Sequence, residues 1–443
     1  MFFYYLRLAW KSALATPALT ALTVAAMALG IAVPTALISI YHVFAQNPIP
    51  EKSDRLFNVR VESWETGSEF FNVLPGDPPK HMTYRDMRGL MRSDIPEHRT
   101  GVSAATIFVF PEDKALRPFR GVAQLVHADF FPMFDVPFSY GSGWARAADD
   151  SRERVVVLSE EGNQHLFGGE NSVGRRLRLG EQEFTVIGVL DHYEPTPQYY
   201  DVINNAMGKP REMFLPFDLI RDQGLGLVRT GDADGFGSVD QNDPNAFFDS
   251  SEVTWIQYWV ELDPAQRADY ARFVDDYAQE QKKLGRFPRP LNNRVTPLME
   301  WMEVRGVVPP ATLGLVLISL LFLAVCCFNL TALLLSKFLA KSGVLGVHRA
   351  LGAPRSSVFL QRLLECELVG VAGGLAGTML AAGALALINR WMPAGFVRAD
   401  LFGADGYSLA VALGLAIVAG LVSGFYPAWR ACRIPPALQL KVQ

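Results

Sequence analysis

Three groups of acidic residues mark the places where this sequence could hold a metal ion or a functional charge. In residues 230–249, Asp232, Asp234 and Gly235 form a D-x-D-G pattern, which is typical of calcium-binding loops. If Gly235 takes the sixth position of such a loop, Gln241 takes the twelfth, where a glutamate is required. We therefore favour a Gly- and Asp-rich surface loop over a calcium site.

The second group is Asp191, His192 and Glu194, whose side chains are also potential metal ligands. We interpret these residues as a solvated loop, because no further cluster of potential ligands in the sequence supports a metal site there. The sequence shows no nucleophile and base arrangement in its His, Ser and Cys residues. It also contains no G-x-x-x-x-G-K-[ST] phosphate-binding motif. We thus expect no catalytic residue, no metal site and no ATP hydrolysis in this chain.

The third group, Glu365 and Glu367, lies beside a long apolar stretch. Ionisable residues next to or within membrane segments are candidates for function. The pair is either a conformational lock or a structural feature. In the structural interpretation, Glu365 pairs with Arg362 one turn earlier, and Glu367 faces protein or lipid headgroups.

Four long stretches free of Asp, Glu, Lys and Arg determine the architecture. They comprise 39 residues between Lys11 and Glu51, 31 between Arg305 and Lys337, 22 between Glu367 and Arg390, and 24 between Asp405 and Arg430. A membrane helix needs about 20 apolar residues. The sequence therefore predicts four transmembrane helices, with a large α+β extracytoplasmic domain in two lobes between helices 1 and 2.

Three regions follow from these stretches. Residues 1–50 are an interfacial helix and the first membrane helix, residues 51–305 are the α+β domain, and residues 306–443 hold three membrane helices and a short cytoplasmic tail. Basic residues precede the first span, separate the second from the third and follow the fourth, so we expect both termini in the cytoplasm. The domain carries 29 basic and 41 acidic residues, and this acidic surface argues against nucleic-acid binding. The basic rims need only membrane lipid as their partner.

The α+β domain contains none of the four cysteines, so we expect its core and not disulfides to stabilise it. Residues 152–159 and 253–262 read as strands, and residues 175–190 as a hairpin. Residues 230–249 and the aromatic residues 193–200 are guessed, from composition alone, to be exposed and to contact cargo or a partner.

A short basic segment, residues 341–353, separates the second span from the third. Gly352 is suited to end a helix and Pro354 to begin the next one. We predict a short amphipathic cytoplasmic helix followed by a break and a long third membrane helix. Small residues spaced for close helix packing occur in the last two spans. These are Gly370, Gly373, Gly374 and Gly377 in the third and Gly420 and Gly424 in the fourth.

Several of these segments resemble the MacB/FtsX-type permeases that work with ATP-binding-cassette (ABC) ATPases. The basic segment is similar to that family's E-I-G-I-R-R-A-L-G-A-S-R sequence, and residues 424–438 fit its closing G-x-x-P-A-x-R-A pattern. Residues 122–134, 155–159, 166–169, 173–177 and 184–190 resemble its periplasmic core domain. Val344 stands where the family has an acidic residue, and His348 replaces a usual Arg. If that acid helps to dock the ATPase, this subunit couples weakly or works beside a better-coupled partner.

The resemblance implies a permease subunit of a mechanotransmission exporter in a bacterial inner membrane, with its large domain in the periplasm. ATP and Mg would be bound by a separate cytoplasmic ABC ATPase, and this chain would hold no cofactor. Its partners would be that ATPase, a second permease subunit (identical or different), and an adaptor with an outer-membrane duct. The cargo would be peptide, antibiotic or lipid-linked. The ATPase-coupling residues would be Gly346, Val347, His348, Arg349, Ala350, Leu351, Gly352 and Ala353.

Two alternatives share this layout. One is an envelope regulator that activates a cell-wall hydrolase, and the other is a lipoprotein-releasing permease. The size of the 51–305 domain favours the exporter.

Overall fold

A computed structural model of the protein describes residues 2–64, 76–113, 115–235, 239–240, 243, 245–340, 354–391, 402–403 and 405–433. The chain divides into a helical unit, residues 1–45 and 308–443, and an outside domain, residues 46–307. In chain order the described helices are α1 (Phe2–Leu14), α2 (Pro17–Ala45), α3 (Tyr84–Leu90), α4 (Phe130–Met133), α5 (Arg146–Ser151), α6 (Glu160–Phe167), α7 (Val202–Asn205), α8 (Ala246–Asp249), α9 (Arg267–Lys283), α10 (Leu298–Val304), α11 (Pro310–Ala340), α12 (Arg355–Trp391) and α13 (Gly406–Arg433).

Four helices of the helical unit, α2, α11, α12 and α13, are long and apolar enough to cross a membrane. They coincide with the four charge-free stretches, as predicted. Helix α12 packs against α2 and α13, and α11 packs against the same two helices. With 37 residues, α12 is about 55 Å long, which exceeds the roughly 30 Å hydrocarbon core.

The outside domain is built on one mixed sheet. Its strands follow the order β11-β1-β10-β2-β3-β8-β5-β7-β4, while β6 pairs with β2 and β7, and β9 pairs with β2. The strands are β1 (Leu56–Arg60), β2 (His98–Phe110), β3 (Phe119–Val126), β4 (Phe138–Gly141), β5 (Val155–Leu158), β6 (Arg176–Leu179), β7 (Gln182–Leu190), β8 (Met213–Pro216), β9 (Val228–Thr230), β10 (Gln257–Glu261) and β11 (Arg294–Pro297).

Local sequence signals explain several of these elements. Strand β5 is fully buried and pairs on both sides, which matches its run of β-branched residues. The predicted hairpin is present as β6 and β7, with Gly180 at a φ of 58° in the turn. Helix α6 begins at a Ser159 cap and ends at Gly168 in the left-handed conformation.

The aromatic stretch at residues 193–200 differs from the expectation. Tyr199 and Tyr200 are only 1% and 0% exposed, and they pack with Phe134. The indole of Trp259 donates a hydrogen bond to the Tyr200 carbonyl oxygen. The guess of exposure was wrong because a short 3₁₀ turn, Tyr199–Asp201, directs these rings into the core. These two rings are therefore part of the core of the domain.

Candidate functional site

The predicted coupling residues, Gly346 to Ala353, lie outside the described residues, as does the rest of the basic segment. The helix ends on either side of this segment are described. Helix α11 ends at Ala340 and α12 begins at Arg355. The side chains at these two helix ends form the candidate functional site.

A buried ion cluster joins the two helix ends, and we call Ser12, Lys337, Arg362 and Glu365 the Glu365 cluster. The Lys337 ammonium lies 2.7 Å from Glu365 Oε1, and the Arg362 guanidinium lies 2.8 Å from Glu365 Oε2. The Ser12 hydroxyl donates to Glu365 Oε1 at 2.8 Å. The side chains of Lys337, Arg362 and Glu365 are 2%, 7% and 1% exposed.

The Glu365 cluster connects three helices that are distant in the sequence. Ser12 belongs to α1, Lys337 to α11, and Arg362 and Glu365 to α12. The Arg362 guanidinium also lies over the Phe338 ring of α11, at 4.8 Å from its centroid. Pairing of Glu365 with Arg362 was one of the two interpretations drawn from the sequence. The additional partners Lys337 and Ser12 were not foreseen.

Glu367 has a different environment. It lies against α13, where its carboxylate oxygens are 3.0 Å from the position that a Cβ on Gly420 would occupy. Glu367 Oε1 is buried and has no hydrogen-bond partner among the described residues. Side chains larger than hydrogen at position 420 would meet this carboxylate, so the glycine makes room for it.

The six glycines predicted to pack helices lie at close contacts of α12. Gly373 and Gly377 face α2: an added Cβ would lie 2.6 Å from Met27 Cβ and 2.9 Å from the Ala28 carbonyl oxygen, respectively. Gly374 faces α13, with Ala416 Cβ only 2.5 Å from such an atom. The remaining contacts also join α12 and α13: Gly370 with Ala416 and Gly420, Gly420 with Glu367, and Gly424 with Cys366. At each of these contacts the glycine leaves room for a backbone or side-chain atom of the facing helix, so α12 packs closely on two sides.

The aspartates of the D-x-D-G pattern are occupied by a cation of the protein. The ammonium of Lys80, a residue only 3% exposed, pairs with Asp232 and lies 3.8 Å from Asp234 Oδ2. The D-x-D-G carboxylates therefore face a lysine, in keeping with the loop interpretation. His192 pairs with Glu160, and both are exposed.

A further group of three potential metal ligands, Glu97, His98 and Glu261, was missed from the sequence. Its central carboxylate, Glu261, is 2.8 Å from His98 Nδ1 and 3.6 Å from the Lys52 ammonium. Glu97 is 2.7 Å from the Arg55 guanidinium. A divalent cation would have to displace these groups, so the arrangement is better described as an ion-pair network.

Comparison with known proteins shows which protein families this sequence matches. Residues 20–272 match the family model of the MacB-like periplasmic core domain, and residues 316–436 match the model of the FtsX-like permease C-terminal region. The pyoverdine export ATP-binding/permease protein PvdT of Pseudomonas aeruginosa is 23% identical over 76% of this chain and 47% of its own length. The macrolide export ATP-binding/permease protein MacB of Acinetobacter baylyi is 23% identical over 76% of this chain and 44% of its own length.

The chain spans about half the length of these curated relatives. Among solved structures, the periplasmic region of MacB from Actinobacillus actinomycetemcomitans is 13% identical, with a TM-score of 0.36, over 58% of this chain and 94% of that chain. The first family model alone covers more than half of the sequence, and both models occur in the predicted order. The resemblance stated from the sequence is confirmed. This chain belongs to the MacB/FtsX-type ABC transporter permeases, as a multi-pass membrane protein with an extracytoplasmic α/β domain.

Proposed function

We propose that this chain is the permease subunit of an exporter in which a separate ABC ATPase binds residues 346–353 and drives the outside domain through the membrane helices. The observation that carries the proposal is the Glu365 cluster. It fixes α1, α11 and α12 to one another at the two helix ends that flank residues 341–353. A force applied to that segment would therefore act on three helices together.

The glycine contacts supply the next step of the proposed path. Packed protein interiors transmit displacement because they contain little free volume. Helix α12 packs closely against α2 and α13 at its glycine contacts, so a movement of α12 would displace both neighbours. Helices α2 and α11 continue along the chain into the two ends of the outside domain.

The setting of this subunit is part of the proposal. Both termini would face the cytoplasm, and the outside domain would lie in the periplasm of a bacterium with two membranes. Two permease subunits, identical or different, would bind two ATPase domains, with ATP and Mg held there. The cargo would be peptide, antibiotic or lipid-linked, passed to an adaptor and an outer-membrane duct. The export names of the two curated relatives support this direction of transport.

Affinity purification of the full chain in mild detergent with an ATP analogue, followed by mass spectrometry, tests the proposal. We expect an ABC ATPase in the eluate. Replacement Leu351→Asp puts a charge into the proposed docking segment and should remove the ATPase from the eluate. A second permease in the eluate would identify a heterodimer.

Leu284→Asp is the matched control, because Leu284 is 66% exposed in the outside domain and the change in charge is the same. This variant should retain the ATPase. Absence of an ATPase with the unmodified chain, or equal recovery with Leu351→Asp, would refute the proposal. Val344→Glu restores the family's acidic residue and should increase ATPase recovery if that acid contributes to docking.

A further inference from the structure

An exposed asparagine lies inside the second membrane span. Asn329 belongs to α11 (Pro310–Ala340), and its side chain is on the outer surface of the helical unit. Within the part of the chain that the structure describes, no group hydrogen-bonds to its amide. Lipid chains offer an amide neither a donor nor an acceptor, so this position is costly unless another protein group covers it.

A contact with α2 places Asn329 well inside the hydrocarbon core. Cys326 of α11 packs on Gly30 of α2, where an added Cβ would lie 2.9 Å from Cys326 Cβ. Gly30 is next to the midpoint of the first charge-free stretch, residues 12–50. Asn329 follows Cys326 by one turn, or about 4.5 Å along the helix. The core extends about 15 Å to either side of its middle, so neither water nor lipid headgroups satisfy this amide.

Asn329 is part of a line of exposed residues that are spaced alternately by three and four positions along α11. They are Leu315, Ile318, Phe322, Val325, Asn329, Ala332 and Ser336, and we call them the Asn329 face. The four apolar residues before Asn329 are between 43% and 63% exposed. This heptad spacing lets two helices pack along their length, and a single asparagine in it fixes their register.

We propose that a second copy of this chain covers the Asn329 face with its own, so that the two Asn329 amides exchange hydrogen bonds. A primary amide both donates and accepts, so it can pair with another one. Two copies inserted in the same orientation carry Asn329 at the same depth, whereas a different partner would need a polar residue of its own there. The inference rests on the pairing of two permease subunits in the proposed function, and it names the partner as identical and the surface as α11.

Förster transfer between full chains that carry donor or acceptor fluorophores at their N-termini, reconstituted into phosphatidylcholine liposomes without an ATPase, tests the proposal. Dilution with lipid gives the dissociation constant of the pair. Asn329→Leu should raise this constant about fivefold or more, because hydrogen bonds between helices in lipid are lost. Asn329→Gln keeps the amide and should retain most of the affinity. Since Asn329 is exposed, neither change should alter the helical circular dichroism of the chain.

Ile318→Ala and Leu317→Ala are a matched pair of variants for the apolar part of the face. The two side chains are isomers, lie at the same depth and are 63% and 56% exposed. Only Ile318 belongs to the Asn329 face, because one residue turns the helix by about 100° and directs Leu317 away from it. Ile318→Ala should weaken the pairing, and Leu317→Ala should leave it unchanged.

Association of Asn329→Leu as strong as that of the unmodified chain would overturn the proposal, as would equal effects of the two alanine variants. Absence of self-association in the unmodified chain, or pairing only after a different permease is added, would overturn the identical partner. Because the liposomes contain no ATPase, none of these results depends on whether residues 346–353 dock one. Failure of this inference is therefore distinct from failure of the proposed function.

Discussion

Replacement Glu365→Gln tests whether the Glu365 cluster is held together by its single negative charge. The substitution keeps the size of the side chain but leaves Lys337 and Arg362 facing each other, with side chains only 2% and 7% exposed. A buried charge that loses its partner costs about 3–5 kcal/mol. Even the lower figure changes the equilibrium constant for unfolding by about a hundredfold.

Lys337→Met gives the comparison that makes the test specific. This change removes one cation and leaves Arg362 paired with Glu365 at 2.8 Å. The remaining pair is neutral as a unit, so we expect less than half of the destabilisation seen with Glu365→Gln. The order of the two variants follows from charge compensation, since a loss of packing alone would not spare Lys337→Met.

Thermal unfolding in lipid nanodiscs, followed by helical circular dichroism at one scan rate, measures both variants. A loss of 3 kcal/mol corresponds to a decrease in Tm of about 6–12 °C for a unit of this size. Glu280→Gln, at an exposed position of the outside domain, is the control for the chemical change and should leave Tm unaltered. A Glu365→Gln variant within about 2 °C of the unmodified chain would refute the reasoning, as would an equally low Lys337→Met.

Three further predictions concern packing and buried charge. Gly374→Ala should destabilise the helical unit by about 1–3 kcal/mol in the same unfolding assay, because the added Cβ would lie 2.5 Å from Ala416 Cβ on α13. Gly383→Ala is the control on the same helix: open space surrounds this position, so the change should be neutral or slightly stabilising. Burial raises the pKa of Asp149 to about 7 in the folded state, so ionising this group opposes folding. The free energy of unfolding of the unmodified chain, relative to that of Asp149→Asn, should therefore fall by up to about 4 kcal/mol as pH rises from 4 to 7. A difference between the two proteins in chemical denaturation that is constant with pH would contradict this prediction. Lys80→Met leaves Asp234 without its buried ammonium and should cost the outside domain about 2–4 kcal/mol, read from urea unfolding monitored by tryptophan fluorescence; unchanged unfolding would show that the ion pair is not needed.

Features set by long runs of sequence could be predicted. Membrane helices depend on about 20 consecutive apolar residues, and the four charge-free stretches identify all four described spans. Turns depend on a few neighbouring residues, so the β6–β7 hairpin was also predictable. The spacing of small residues in α12 marked the positions of its close contacts, although not which helix each contact faces.

Features that depend on distant residues could not be predicted. Ser12 and Glu365 are 353 positions apart, and nothing in either local sequence indicates that they meet. Burial of Tyr199 depends on the direction of one 3₁₀ turn, which composition does not encode. For each of these, the missing information is three-dimensional proximity.

The pairing of β1 with β11 has a mechanical consequence for the outside domain. The chain enters this domain just before β1 and leaves it after β11, and the two strands are antiparallel neighbours with Phe57 opposite Pro297. Entry and exit therefore lie at the same end of one hydrogen-bond ladder. Pulling them apart would load the Phe57–Pro297 pair first and open the ladder one pair at a time, as a zipper opens, whereas moving them together would place no load on it. The β1–β11 pairing is therefore free of load only when the two chain segments that enter and leave the domain move together.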